Sequence, residues 1–211
     1  MHVLTVFAMF VGGYIVGSIP VAYLVVKQKA KVDIRESGSG NAGGFNAFYV
    51  TRSKAVGILV GVLDGLKGLA VAGGAMLLLP NSFSLQAVAL FGAIAGHNYP
   101  VWLKFAGGRG LATTAGGLFL LGFSYAISWC AVWLISKLLM KRGILTSNLI
   151  AIFSTPVILF FVPWHLVRKP IVATVENGSF LFFSCILSLE LLLGHFDVVR
   201  NLWRGSKAKD L

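Results

Sequence analysis

Val3 to Val26 runs without a single charged side chain, and that run limits the fold more than any other feature. About 20 apolar residues, coiled as a helix, cross roughly 30 Å of hydrocarbon while satisfying every backbone N–H and C=O internally. Further apolar runs follow at Val56 to Leu79, Leu85 to Ala95, Leu111 to Met140, Leu149 to Val162 and Phe180 to Leu193. The chain is 57% hydrophobic and 12% charged, with a mean hydropathy of +0.84, which places it among integral membrane proteins. The first run has no Lys or Arg before it and its cations follow it, so it reads as a retained helix, not a cleaved leader. The run from Leu111 is broken only by Lys137 and is too long for one ordinary crossing. It contains LLGFSY, Leu120 to Tyr125, where a turn can divide it. Division gives seven crossings, and its absence six.

The distribution of Lys and Arg favours seven. With the N-terminus outside, the segments Lys27 to Lys54, Lys104 to Arg109, Lys137 to Arg142 and the tail from Arg200 all face the cytoplasm. Only Arg168 and Lys169 then lie outside, with Lys67 inside a span, as the positive-inside rule requires. Six crossings would move every cation after Arg109 to the other side and erase the asymmetry. The expected fold is an all-α polytopic membrane protein of about seven transmembrane helices, some short or broken. Its N-terminus is outside, its C-terminus cytoplasmic, and residues 1–211 form a single integral membrane domain. The net charge of +11 sits in short juxtamembrane loops, so its partner is the lipid bilayer and not nucleic acid. Cys130 and Cys185 stand alone in apolar runs, as packing or lipid-facing residues. Four dispersed histidines and seven acidic residues offer no metal-ligand spacing.

Two polar segments fall on the cytoplasmic face of this topology. The first, RESGSGNAGGFNAFYVTR from Arg35 to Arg52, is a loop of small residues between two arginines. Its glycines allow successive amides to point at one anion, and Ser39, Asn41 and Asn46 add donors. The second, GHNYPVWLKFAGGRGLATT from Gly96 to Thr114, carries the run Gly107, Gly108, Arg109, Gly110 directly into a helix. A glycine loop at a helix N-terminus suits a phosphate, and Arg109 supplies a forked cation. Such glycines also serve simple helix packing, but two basic, hydroxyl-bearing glycine loops on one face point to an anion site, with His97 beside it. Within a span, Asp64 and Lys67 lie three residues apart on one helical face and are expected to form a structural ion pair. Glu190, five residues before His195, is open to either a structural or a functional reading.

The segments SGSGNAGGFN, LDGLKG, GHNYPVWLKFAGGRGLAT and GHFD resemble the bacterial acyl-phosphate:glycerol-3-phosphate acyltransferases, small inner-membrane enzymes of phospholipid synthesis. The resemblance runs from VGSIPVAYL to His195. It implies a seven-helix enzyme that moves a fatty acyl group from acyl phosphate to the first hydroxyl of glycerol 3-phosphate, giving lysophosphatidate, with no cofactor. By motif match Ser39 takes the place of the family's essential serine, and Arg52 is the nearest candidate for its arginine. Gly107, Gly108 and Gly110 match the phosphate loop, Arg109 stands where lysine is usual, and His97 and His195 match the histidines. The catalytic set implied is therefore Ser39, His97 and His195. The substrate-binding set is Asn41, Asn46, Arg52, Lys104, Gly107, Gly108, Arg109 and Gly110. The active site is expected at the cytoplasmic face of the bacterial inner membrane.

The chain departs from the family pattern at several places. Phe45 replaces a hydroxyl residue, Tyr49 falls on the ungapped position of the arginine, and Ala106 stands for a lysine that Lys104 can replace. Asp197 and Val198 stand where Glu and Asn are common. An acyl phosphate is already activated, so the protein has only to orient the alcohol and stabilise developing charge. The base is either His97 or a phosphate oxygen of the substrate. None of His2, His97, His165 or His195 has Asp five residues later, so the His-x4-Asp acyltransferase class is excluded. The alternatives are a transporter of small organic phosphates, which would spread polar residues through the membrane's depth, and a catalytically degenerate homologue, which an assay would expose.

Overall fold

Pro20 interrupts the first apolar run, leaving helix α1 (His2–Gly17) followed by α2 (Val21–Ala30). Proline has no N–H to donate, and Val21 N turns back to Ile19 O at 2.9 Å, so the helical ladder stops near Gly17. The computed structural model describes residues 2–203; Arg204, Lys207 and Lys209 of the expected cytoplasmic tail lie outside the described residues. A 3-10 turn (Ile34–Glu36) leads to α3 (Gly44–Thr51), α4 (Lys54–Leu78) and α5 (Phe83–Asn98). A second 3-10 turn (Val101–Leu103) precedes α6 (Leu111–Leu121) and α7 (Phe123–Leu134), which continues into a π turn (Ile135–Leu139). Helices α8 (Ile144–Phe161), α9 (Trp164–Arg168), α10 (Asn177–Gly194) and α11 (Phe196–Trp203) complete the order, and no strand occurs among the described residues.

Gly122 divides the long run from Leu111, at the place expected within LLGFSY. Among the described residues, four segments are long and apolar enough to cross a membrane: Val3–Ala30, Lys54–Leu78, Ile144–Phe161 and Asn177–Gly194. Helices α5 and α6 and the segment Phe123–Leu139 are shorter. Leu77, Phe161 and Phe182 stand exposed, as contact with lipid tails permits.

Packing divides the chain into two compact units, the first ending at Gly117 and the second beginning at Leu118. In the first, α1 crosses α5 through small residues. A methyl on Gly13 or Gly17 would strike the backbone of Ala89 or Ala93, and one on Gly92 or Gly96 that of Phe10 or Tyr14. Close backbone approach is how helices associate where lipid is as apolar as the side chains. Helix α4 meets α6 in the same way, Gly68 against Thr113 and Gly116 against Gly65. Val26, Ile34, Ala47 and Val60 form a fully buried cluster among α2, α3, α4 and the turn between α2 and α3.

In the second unit buried hydroxyls join α7, α8 and α10. Tyr125 Oη lies 2.6 Å from Ser188 Oγ, which donates to Ile152 O at 3.0 Å, so the tyrosine is the donor of the pair. Ser136 Oγ donates to Ser147 Oγ at 3.1 Å, and Trp133 Nε1 to Asn148 Oδ1 at 2.8 Å.

Candidate active site

The first loop is organised around Asn46, which is 1% exposed. Its Nδ2 donates to Ile34 O, Ser37 O and Asn41 O at 3.1, 3.0 and 3.0 Å, while its Oδ1 accepts from Ser39 N at 3.0 Å. One amide thus gathers a segment of loop that has no regular ladder of its own. Gly38 lies against that amide at φ +62, where any side chain would be strained and would strike Asn46 Oδ1. The sequence placed Asn46 on the substrate; here its side-chain amide is hydrogen-bonded to the loop backbone. Ser39 is left exposed, with its Oγ 3.5 Å from Asn41 N, and Asn41 is half-buried.

Arg52 ends α3 in the left-handed conformation and is exposed, its guanidinium 4.8 Å from the ring centroid of Tyr49. The two positions that compete for the family's arginine therefore stack on each other. Phe45, the bulky departure, is exposed and meets Phe48 edge-on at 6.4 Å between centroids. At the loop's other end Asp33 accepts from Arg35 N and Nε at 2.9 and 3.0 Å, and Arg35 Nη1 donates to Leu103 O at 3.0 Å. The hydrogen bonds from Arg35 hold the Asp33 carboxyl below the usual carboxylate range.

Leu103 O belongs to the second polar segment, so Arg35 fastens one loop to the other. A second tie lies deeper, where Ala42 N donates to Gly107 O at 3.1 Å. Lys104 and Phe105 both have positive φ (53° and 62°) and are exposed, as is Ala106. Gly107 N donates to Asn98 O at 3.1 Å and Gly108 N to His97 O at 3.0 Å. Both amides, expected from the sequence at a phosphate, donate here to carbonyls inside the loop. The glycines serve proximity instead: a methyl on Gly107 would strike His97 O and Pro100, and one on Gly108 the imidazole of His97. Gly110 turns the chain at φ +78 into α6. The amides that begin a helix have no intrahelical acceptor, and Gly110 and Arg109 lead directly into the first turn of α6. Arg109, half-buried, stands immediately before it.

His97 is 7% exposed and sits at the end of α5. Its Nδ1 lies 3.4 Å from Lys67 Nζ and 3.5 Å from Asp64 Oδ1. Lys67 Nζ is 2.8 Å from Asp64 Oδ1, which is the ion pair expected from the spacing. It also donates to Gly17 O at 3.1 Å and Ile19 O at 2.9 Å, carbonyls left without helical donors by the break at Pro20. Asp64, Lys67 and His97 line one small pocket together with Ser18, Ala42 and Gly107.

His195 belongs to the second unit, where it is fully buried at the end of α10 with Nδ1 2.8 Å from Leu191 O. Glu190 is half-buried one turn earlier. No group of three potential metal-binding side chains occurs among the described residues. Three links had no sequence signal: Asp33 to Arg35 to Leu103, Ala42 to Gly107, and the approach of His97 to the Asp64–Lys67 pair. Each joins residues on different elements, and neither spacing nor composition reports such contacts.

Comparison with known proteins places this geometry. The family described as glycerol-3-phosphate acyltransferase matches residues 7–205. A glycerol-3-phosphate acyltransferase of Wolbachia sp. subsp. Brugia malayi is 39% identical over 209 residues, covering 96% of this chain and 97% of the relative. That of Nitrobacter winogradskyi is 33% identical over 201 residues, covering 95% and 93%. Among solved structures, the glycerol 3-phosphate form of PlsY, an integral membrane glycerol 3-phosphate acyltransferase, superposes with a TM-score of 0.75 at 29% identity, covering 96% of this chain and 94% of that one. The lysophosphatidic acid form gives 0.74 at 28% identity. The apolar helices, with these integral membrane neighbours, describe a multi-pass membrane protein. Since the match extends through both compact units, the chain belongs to the glycerol-3-phosphate acyltransferase family.

Proposed function

We propose that this protein transfers a fatty acyl group from acyl phosphate to the 1-hydroxyl of glycerol 3-phosphate, releasing lysophosphatidate and inorganic phosphate. The observation that carries the reading is the second loop: a half-buried arginine and a positive-φ glycine set at the N-terminus of α6, fastened to the serine-bearing first loop. Arg109, the first amides of α6 and the exposed Lys104 hold the phosphate of the acceptor. The hydroxyl oxygen attacks the acyl carbonyl, a C–O ester bond forms, and the bond from the acyl carbon to the phosphate oxygen breaks. The hydroxyl proton passes to His97 or to a phosphate oxygen. Ser39, exposed beside Asn41, orients a substrate oxygen; His195 takes its catalytic role from the motif match. The whole of residues 1–211 acts as one acyltransferase domain, a reading supported by the family match across both units.

The purified protein, given acyl phosphate and glycerol 3-phosphate, is expected to form lysophosphatidate and to form none from acyl-CoA. Turnover from acyl-CoA alone would overturn the donor. Arg109→Ala removes a charge-assisted contact worth about 1.5–3 kcal/mol, so kcat/KM for glycerol 3-phosphate should fall about tenfold to a hundredfold. Arg109→Lys should retain most of it, since lysine is usual there in the family. An unchanged KM in Arg109→Ala would place the phosphate elsewhere.

The same reading sets seven crossings in a bacterial inner membrane, with the N-terminus outside and both loops and the C-terminus cytoplasmic. The asymmetry of Lys and Arg supports it. A single cysteine at Lys54, exposed at the start of α4, in a chain lacking Cys130 and Cys185, should resist impermeant thiol reagents in intact cells and react after permeabilisation. Labelling in intact cells would reverse the topology.

A further inference from the structure

We propose that Asp64 and Lys67, beyond pairing with each other, are positioning residues for the acyl transfer: they hold His97 so that its Nε2 is presented at the glycine loop. The proposal rests on the acyltransferase reading above. Its first ground is orientation. Nδ1 of His97 faces the pair, at 3.4 Å from Lys67 Nζ and 3.5 Å from Asp64 Oδ1, whereas Nε2 is the ring atom closest to the methyl that Gly108 lacks. One edge of the imidazole is therefore anchored to α4 and the other lies on the loop that precedes α6.

The second ground is what the lysine reaches. Lys67 Nζ donates to Gly17 O and Ile19 O across the Pro20 break while touching Asp64 and His97. One ammonium thus ties the α1–α2 break, the middle of α4 and the end of α5. A pair needed only to neutralise buried charge would need neither the broken helix nor the histidine. The carboxylate and ammonium are 2% and 8% exposed, so both charges sit where water cannot screen them and where geometry is held firmly. The loop then inherits that geometry, because His97 O and Asn98 O accept the amides of Gly108 and Gly107. Displacing a reacting group by about 1 Å can cost a hundredfold in rate, so the anchor acts on turnover through the ring.

The test is a double-mutant cycle. Asp64→Asn should lower kcat about tenfold to a hundredfold with little change in KM for glycerol 3-phosphate. In a His97→Asn background the same substitution should change kcat less than about twofold, because the group it positions is gone. Equal losses in both backgrounds would overturn the proposal, as would no loss in either. Asp64→Asn leaves an ammonium without its partner, so Asp64→Asn/Lys67→Met, which removes both charges, is measured beside it to separate positioning from misfolding. A readout independent of activity completes the test. In protein labelled with 15N-histidine, the ring resonances lost in His97→Asn identify His97, and the neutral double variant should shift both of its nitrogens. Unchanged shifts overturn the proposal. Absence of turnover in the wild-type protein, with those shifts still moving, would defeat only the acyltransferase reading.

Discussion

Asn46→Asp is expected to abolish measurable turnover and to open the first loop to proteases. The substitution keeps shape almost unchanged and replaces the NH2 group by a carboxylate oxygen. Ile34 O, Ser37 O and Asn41 O, each 3.0–3.1 Å from that group, would lose their donor and face a negative charge. An unsatisfied buried acceptor costs about 1–3 kcal/mol, more where a charge is involved. Three of them around one buried atom leave the ordered loop no longer favoured over a disordered one. Ser39 would go with it, since its amide is held by the same side chain. Limited proteolysis should cut between Asp33 and Arg52, and kcat/KM should fall by more than about a hundredfold. A side chain that touches substrate alone would behave differently, with KM raised and the loop as resistant as before. That result would place Asn46 on the substrate.

The contrast shows which kinds of information the sequence carried. Long apolar runs, the turn at Gly122 and the asymmetry of Lys and Arg are legible because each depends on local composition over a window of residues. The pairing of Asp64 with Lys67 is legible for a similar reason, three residues being a helical neighbour. The phosphate loop could be located from its glycines, but not how it works. Gly107 and Gly108 looked like amide donors, and only their contacts show that both amides are used and that the missing methyls make room for His97 and Pro100. Asn46 looked like a ligand because asparagine is a donor wherever it stands; its burial against three carbonyls is a property of the folded loop. His97 and Lys67 are thirty positions apart in the chain, and their approach depends on the break at Pro20 and the crossing of α1 and α5. Contacts of that sort arise from packing between elements, which periodicity within one element cannot encode.

That crossing is tested most sharply by two adjacent glycines which the sequence cannot tell apart. Gly13→Leu is expected to be strongly destabilising, whereas Gly12→Leu should be nearly silent. A side chain at Gly13 points into α5, where even its first carbon would overlap Ala89 O and approach Ala93 N to 3.1 Å. The obstacle is helix backbone, which cannot swing aside as a side chain does, so the helices must separate. Overpacking costs about 1–3 kcal/mol when side chains can adjust, and here the value should lie at or beyond the upper end. At Gly12 a Cβ meets nothing within 4 Å and the position is exposed, so leucine would face lipid; a surface change of this kind stays within about 0.5 kcal/mol. The thermal midpoint in detergent, followed by loss of the monodisperse elution peak, should therefore drop for Gly13→Leu alone. Turnover should drop with it by about tenfold or more, because α1 ends at the carbonyl that Lys67 holds and the last turn of α5 carries His97. Equal midpoints for the two variants would mean that α1 does not pack on α5 through this face. The anchoring of Lys67 on Gly17 and Ile19 would then lose its structural basis.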